Sequence, residues 1–355
     1  MTLLFEPLTL RGTTFPNRAW LAPMCQYSAT DGLPDDWHLV HLGARAAGGF
    51  GLVIAEATAV VPEGRISPQD TGLWNDAQVA AWSRITDFVR ARGSYSGVQL
   101  AHAGRKASTY SPFAADRGTV PASEGGWASV GPSALAYPGL EVPAELTDAQ
   151  VEAVPGQFAA AARRALAAGF DVVELHAAHG YLLHEFLSPL SNTRTDEYGG
   201  TLENRARLLV ETTDAVRAVW PDEKPLLVRF SATDWAEGGL TVEEVGLVAK
   251  ELAGHGVDLV DVSTGGNVPA SIPVGPGYQV PAARAVRETS GLPVAAVGLI
   301  TTAHQAEQVL VDGAADAVLL GRVALRDASW PLRAAHELGV DATGLTPPQY
   351  GRAWG

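Results

Sequence analysis

Leu226-Leu227-Val228-Arg229-Phe230, then Thr241-Val242-Glu243-Glu244 opening a helical stretch over 241–253, then Leu259-Val260-Asp261-Val262-Ser263: this succession of strand, helix and strand decides the fold. The two apolar runs are short, rich in Val and Leu, and not cleanly alternating with polar residues. Strands buried on both faces of a parallel sheet read this way. Thr241 followed three residues later by Glu244 is a capping box and marks where the helix begins.

The same alternation extends in both directions. Further strands are expected at 20–24, 52–58, 97–101, 172–176, 294–297 and 317–320. Helices are expected at 76–92, with an apolar stripe of Val79, Trp82, Ile85 and Val89, and at 147–168, capped by Thr147 and Gln150. Others are expected at 202–219, 302–311 and 324–338. Eight strands alternating with helices in 355 residues predict an α/β chain folded as one (β/α)8 TIM barrel over 1–355. Residues 108–146, rich in Gly, Pro, Ser and Ala, break the rhythm after the third strand. A loop of this length in a compact domain usually serves a function, and it follows a strand, so a lid over the active-site face is expected.

The formal net charge is −14, a balance that disfavours nucleic acid or an anionic membrane as the main partner. No run of about 18 apolar residues is present, so no transmembrane helix is expected. The start, Met1-Thr2-Leu3-Leu4-Phe5-Glu6-Pro7, lacks the basic and apolar regions of a signal peptide. Cys25 is the single cysteine, which excludes an internal disulfide and fits a reducing cytoplasm. Taken alone, Cys25 reads as a small buried hydrophobe.

Barrel enzymes place their chemistry just past the carboxyl ends of the strands. Polar residues collect there: Pro23-Met24-Cys25-Gln26-Tyr27, Glu56-Ala57-Thr58, Gln99 to Lys106, His176 to Tyr181, Arg229, and the turns at Gly298 and Gly321-Arg322. The glycines Gly298 and Gly321 let a ligand approach the backbone, and Arg322 adds a fork of donors, a combination suited to phosphate. No G-x-G-x-x-G follows the first strand, which argues against a Rossmann dinucleotide site. His176-x-x-His179-Gly180-Tyr181 admits three readings. The imidazoles can donate together to one carbonyl oxygen with Tyr181 as general acid, they can bind a metal, or they can be a hydrogen-bonded turn. A zinc site usually needs three protein ligands, and H-E-x-x-H is absent, so no metal is expected.

Several stretches resemble the Old Yellow Enzyme family, most closely its thermophilic-like bacterial subclass and the xenobiotic reductases. They are Ala22-Pro23-Met24-Cys25-Gln26-Tyr27-Ser28, Gln99-Leu100-Ala101-His102-Ala103-Gly104-Arg105-Lys106, the run from His176 to Arg205, and Gln349-Tyr350-Gly351-Arg352-Ala353-Trp354. The resemblance implies non-covalent FMN in the barrel mouth. Ala22, Pro23, Met24 and Cys25 would line the flavin, Ala57 and Gln99 would meet its ring, and Arg229 would sit near N1 and the C2 carbonyl. Gly298, Gly321 and Arg322 would hold its phosphate. His176 and His179 would bind the substrate oxygen, Tyr27 would border the substrate, and Tyr181 would donate a proton. Cys25 and His179 mark the subclass, since the more classical branch tends to carry Thr and often Asn at those places.

The activity implied is an NADPH-dependent ene-reductase acting on alkenes conjugated to a carbonyl or nitro group. The tail over 347–355 would reach across a homodimer, or a dimer of dimers, and place Arg352 and Trp354 at the partner's site. The competing expectations are a metal-assisted aldolase or hydrolase built on His176 and His179, and a redox-sensing flavoprotein using Cys25.

Overall fold

The computed structural model describes residues 2–354. Met1, which opens the segment read against a signal peptide, and Gly355, which ends the expected tail, lie outside the described residues. Eight parallel strands close on themselves: β1 Ala19–Leu21, β2 Leu52–Ala59, β3 Tyr95–Ala101, β4 Val172–Ala177, β5 Leu226–Ser231, β6 Leu259–Ser263, β7 Val294–Ala296 and β8 Ala317–Leu320, with β8 pairing back onto β1. Around them lie α1 Asp36–Ala47, α2 Asp76–Arg90, α3 Asp148–Ala167, α4 Leu202–Arg217, α5 Val242–Gly254, α6 Val280–Ser290, α7 Ala303–Val311 and α8 Trp330–Glu337. The (β/α)8 barrel expected from the strand–helix alternation is therefore the fold.

Both capping boxes named from the sequence form. Thr147 N–H donates to Gln150 Oε1 at 2.9 Å, and Thr241 N–H to Glu244 Oε2 at 3.0 Å, each side chain satisfying donors that the first helical turn leaves unpaired. Three expectations are corrected. Helices α1 and α6 were not among the expected helices, and α6 begins without a side-chain cap to mark it. The single helix expected over 324–338 is two, Arg322–Arg326 and α8, separated where the Asp327 side chain accepts from Ser329 N–H at 3.0 Å. The first strand ends at Leu21, so Pro23, Met24 and Cys25 lie in the loop beyond it.

As the apolar runs predict, the strands are buried on both faces, one face packing on the helices and the other filling the barrel. Val173, Leu175, Val228, Val260 and Val318 face the helices in one apolar cluster, while Trp20, Leu52, Val172, Leu227, Leu259 and Leu319 face inward in a second. Both faces are apolar at the start of each strand, so the period of two is masked there. Towards the carboxyl ends the inward positions turn polar: Gln99, Glu174, His176, Arg229, Asp261 and Ser263. A hairpin of Leu8–Leu10 with Thr13–Phe15 plugs the opposite end, where the Phe15 ring centroid stands 4.8 Å from that of Trp20 and 5.1 Å from that of Tyr95.

Residues 108–146 are folded rather than disordered. They contain a short parallel pair, Val130–Gly131 with Ala144–Glu145, and they are fastened to the barrel. Arg105 Nη1 donates to Leu135 O at 3.2 Å, Thr193 N–H to Ser133 Oγ at 2.9 Å, and Arg194 Nη1 to Leu146 O at 2.6 Å.

Candidate active site

The ends of β5 to β8 surround a groove of about 240 Å³ lined by Arg229, Ser263, Gln279, the 297–301 turn, Gly321, Arg322 and Arg326. Three guanidinium groups line it and, among the described residues, no carboxylate does, a lining suited to an anion in a strongly acidic chain. Gly298 has φ +122°, a conformation that side chains rarely adopt, and so it permits the turn. At Gly321 a Cβ would meet only Met24 Sδ, at 3.7 Å. That space is therefore left open to a ligand rather than filled by the protein. The backbone N–H groups of Gly321 and Arg322 donate to no other group among the described residues. Backbone donors, open space and guanidinium groups together fit a phosphate.

Deeper in the barrel the polar layer forms a floor. Gln99 Nε2 donates to Glu174 Oε1 at 2.7 Å, and Arg229 Nε lies 2.9 Å from Asp261 Oδ2. Glu174 Oε2, both Asp261 oxygens and Arg229 Nε still lack a well-directed hydrogen bond among the described residues. Burial pushes both carboxyls above the usual carboxylate range, while Arg229 pulls each back. A floor with unsatisfied polar atoms under an anion groove suits the polar edge of a flavin, so the residues present fit FMN.

The β4 end carries His176, His179 and Tyr181. The His176 ring centroid is 5.2 Å from that of His179 and 4.9 Å from that of Tyr181, each pair edge to face. His176 Nδ1 accepts from Ala178 N–H at 3.3 Å, which puts the ring proton on Nε2. His179 Nε2 lies 2.8 Å from Ser263 Oγ, and its backbone φ of +60° is held by its N–H donating to Ser231 Oγ at 2.9 Å. Burial first, then Arg229, pushes both imidazoles well below their ordinary value, so both are neutral near pH 7. Burial raises the Tyr181 phenol well above its ordinary value, and Cys25, Tyr27 and Asp70 add to the effect.

On the opposite wall are Cys25 and Tyr27. Cys25 packs with Tyr181 and Trp127 against Ala57, Ala101 and Ala103, and Tyr27 stands edge-on to Phe113 of the 108–146 segment at 6.0 Å. Their loop is pinned from behind: Gln26 N–H donates to Glu56 Oε2, and Glu56 Oε1 lies 3.1 Å from His38 Nε2. Glu56 is the extra residue of a β-bulge between Ala55 and Ala57.

Ala22, Pro23, Met24, Cys25, Tyr27, Ala57, Gln99, His176, His179, Tyr181, Arg229, Gly298, Gly321 and Arg322 thus all lie at the carboxyl ends of the barrel strands. Arg352 and Trp354 are not brought to this mouth within one chain. Arg352 is exposed, and the Trp354 indole faces His336 at 6.5 Å beside a separate pocket with Thr343, Thr346 and Pro348. Glu174, Asp261 and Ser263 were missed as site residues, although the polar interruptions of otherwise apolar strands were a usable signal. Among the described residues no group of three or more His, Cys, Asp or Glu side chains is arranged to hold a metal ion.

Residues 3–341 match the NADH:flavin oxidoreductase / NADH oxidase family. The chain is 49% identical over 356 residues to an NADPH dehydrogenase of Geobacillus thermodenitrificans, covering 99% of each chain. It is 49% identical to an NADH:flavin oxidoreductase of Gibberella zeae, covering 96% of this chain and 87% of the relative. Among solved structures it is similar to morphinone reductase in complex with tetrahydroNAD, with TM-score 0.79 and 29% identity over 97% of this chain and 94% of that one. The old yellow enzyme homologue from Zymomonas mobilis has TM-score 0.78 at 29% identity, over 98% and 97% of the two chains. A 2-naphthoyl-CoA reductase complex has TM-score 0.87 at 27% identity over 94% of this chain, which spans 52% of that longer one.

Proposed function

The chain belongs to the Old Yellow Enzyme family of NADH:flavin oxidoreductases, an FMN enzyme with a nicotinamide co-substrate, and from that membership we propose that it reduces the C=C bond of α,β-unsaturated carbonyl or nitro compounds with NADPH. The observation that carries this reading is the edge-to-face cluster of His176, His179 and Tyr181 beside the anion groove. Bound FMN supplies two-electron hydride transfer between nicotinamide and alkene.

The chain's own residues do the rest. Gly298, Gly321 and Arg322 hold the phosphate, Gln99 and Arg229 meet the pyrimidine edge, and Ala22, Pro23, Met24, Cys25 and Ala57 line the ring. His176 donates from Nε2 to the substrate oxygen, and His179 is the second donor, with Ser263 setting which of its nitrogens carries the proton. Because both imidazoles are neutral, they polarise the oxygen as hydrogen-bond donors rather than as acids. Proton delivery to the α-carbon then falls to Tyr181, which its surroundings keep fully protonated. Tyr27 and the lid over 108–146 border the substrate. The tail over 347–355 serves the neighbouring subunit of a cytoplasmic homodimer. This reading draws support from the resemblance of its sequence and from the exposure of Arg352, away from its own mouth.

Measuring the two halves of the cycle separately tests the assignment. Tyr181→Phe is expected to slow reoxidation of the flavin by cyclohexenone by about 10²-fold, the scale of a positioned general acid, while its reduction by NADPH changes far less. Equal slowing of both halves sinks the role. A colourless protein whose activity is lost to chelator would instead support the metal-dependent alternative.

A further inference from the structure

Lys106 is a half-buried cation at the site to which neither the cofactor nor the polarising role gives a task. Its Nζ donates to His179 O at 2.7 Å and to Gly266 O at 3.0 Å. Those carbonyls belong to two loops in such close contact that a Cβ on Gly266 would stand 2.8 Å from His179 Cα, so the ammonium sits at a fixed seam. Among the described residues no carboxylate oxygen lies within 4.0 Å of it. Two phenol rings also face it: Nζ is 5.1 Å from the Tyr181 ring centroid and 4.8 Å from that of Tyr137, which comes from the 108–146 segment. An ammonium taken from water without a carboxylate partner is costly, and here it is spent against the ring of the proposed proton donor.

We propose that Lys106 is a positioning residue for proton transfer: its ammonium, laid against the Tyr181 ring, stabilises the negative charge left on the phenol as Tyr181 protonates the substrate, and Tyr137 of the lid holds the ammonium in place. This rests on the reading of Tyr181 as donor. In the step itself the Tyr181 O–H bond breaks, its electron pair stays on the phenol oxygen, and a C–H bond forms at the α-carbon. Hydride forms the C–H bond at the β-carbon, so the alkene gains the two electrons that the nicotinamide supplied. Water then returns a proton to the phenol. Without Lys106 the phenol would lose its proton into a setting that opposes the change, since Cys25, Tyr27, Asp70 and Tyr137 all raise it. A cation over an aromatic face is attracted to it, and the attraction grows when the ring becomes a phenolate.

The charge on Lys106 is itself pH-sensitive. Burial lowers it to about 8, with Glu185 opposing that shift and Arg105 adding to it. The other titratable groups facing it are the phenols Tyr137 and Tyr181 and the neutral imidazoles His176 and His179. The ammonium is therefore present below about pH 8 and lost as pH rises through that value.

The test follows the FMN-loaded enzyme by stopped flow in each half-reaction, with FMN content and melting temperature as checks on folding. Lys106→Met is expected to slow reoxidation by cyclohexenone about tenfold relative to reduction by NADPH. The same change in a Tyr181→Phe background is expected to add nothing, because the charge it would stabilise never forms. The wild-type reoxidation rate should fall above about pH 8, and Lys106→Arg should keep most of the rate and lose that fall, because a guanidinium does not titrate there. If Lys106→Met slows the Tyr181→Phe enzyme by the same factor, or the alkaline fall persists in Lys106→Arg, Lys106 merely braces the loops and the inference is overturned. If Tyr181→Phe alone reoxidises at the wild-type rate, the donor assignment has failed and this inference falls with it. Should Lys106→Met lose its FMN, the pH profile of Lys106→Arg decides the matter alone.

Discussion

Cys25 illustrates how much a single residue's role depends on what surrounds it. Burial lifts its thiol well above the ordinary value, and the carboxyls Asp70 and Glu56 lift it further. A thiol held protonated is a poor nucleophile, which favours a tuning role at the flavin over attack on substrate. Cys25→Ala is expected to retain turnover while shifting the flavin midpoint potential by roughly 30 mV, about 1.4 kcal/mol for two electrons. Potentiometric titration checks the shift, and loss of all turnover with FMN still bound would contradict it. His176, His179 and Tyr181 could be picked out because they crowd one short stretch. Lys106 stood in an equally visible motif, but its task depends on Gly266, 160 residues away, and on Tyr137, which no local pattern connects to it.

At the scale of elements, most strands and helices were readable because each carries its own signal: an apolar run, a capping box, a glycine turn. The exceptions have local causes. Helix α6 begins after Gln279 without a side-chain cap, and the bulge at Glu56 shows only in the pairing of β2 with β3, where Ala55 faces Val98 and Ala57 faces Gln99. The bulge turns Glu56 away from the mouth toward His38 on α1, so that it pins the Cys25–Tyr27 loop instead of entering the site. The N-terminal hairpin went unread because three-residue strands carry too little pattern. Its Phe15, fully buried between Trp20 and Tyr95, closes the bottom of the barrel. Phe15→Ala is expected to cost about 3–5 kcal/mol, the usual range for emptying a buried aromatic site. Urea unfolding followed by flavin fluorescence and circular dichroism reads this directly, and a loss below about 1 kcal/mol would mean the plug collapses without strain.

The whole molecule combines a net charge of −14 with a groove lined by three arginines, so the positive character of that groove is set by local placement and not by overall charge. None of its helices, among the described residues, is long and apolar enough to cross a membrane. The tail is the feature that one chain leaves unexplained. Gly351–Trp354 forms a helical turn with an exposed arginine and an indole that faces His336. In an isologous dimer such a tail serves two sites at once. Deleting residues 350–355 is expected to lower the rate of enone reduction and to shift the protein toward monomer in sedimentation. Unchanged kinetics and an unchanged mass in solution would refute a role in trans.

The sequence by itself determined the barrel, the glycine turns after its last two strands and the His176–Tyr181 cluster. Each is written locally, in strand–helix alternation, glycine placement and one dense motif, and such signals survive without knowledge of distant contacts. Only the tertiary structure decided which strand residues face inward, since closing β8 onto β1 fixes a register that apolar runs on both faces leave open. It also decided that Glu174, Arg229 and Asp261 share one buried floor, that Ser263 meets His179, and that Lys106 lies between Tyr181 and Tyr137 of the 108–146 segment. Those relations join residues from separate β/α units, and the energies that matter in them, desolvation and charge in a low dielectric, come into being only when the chain has closed around them.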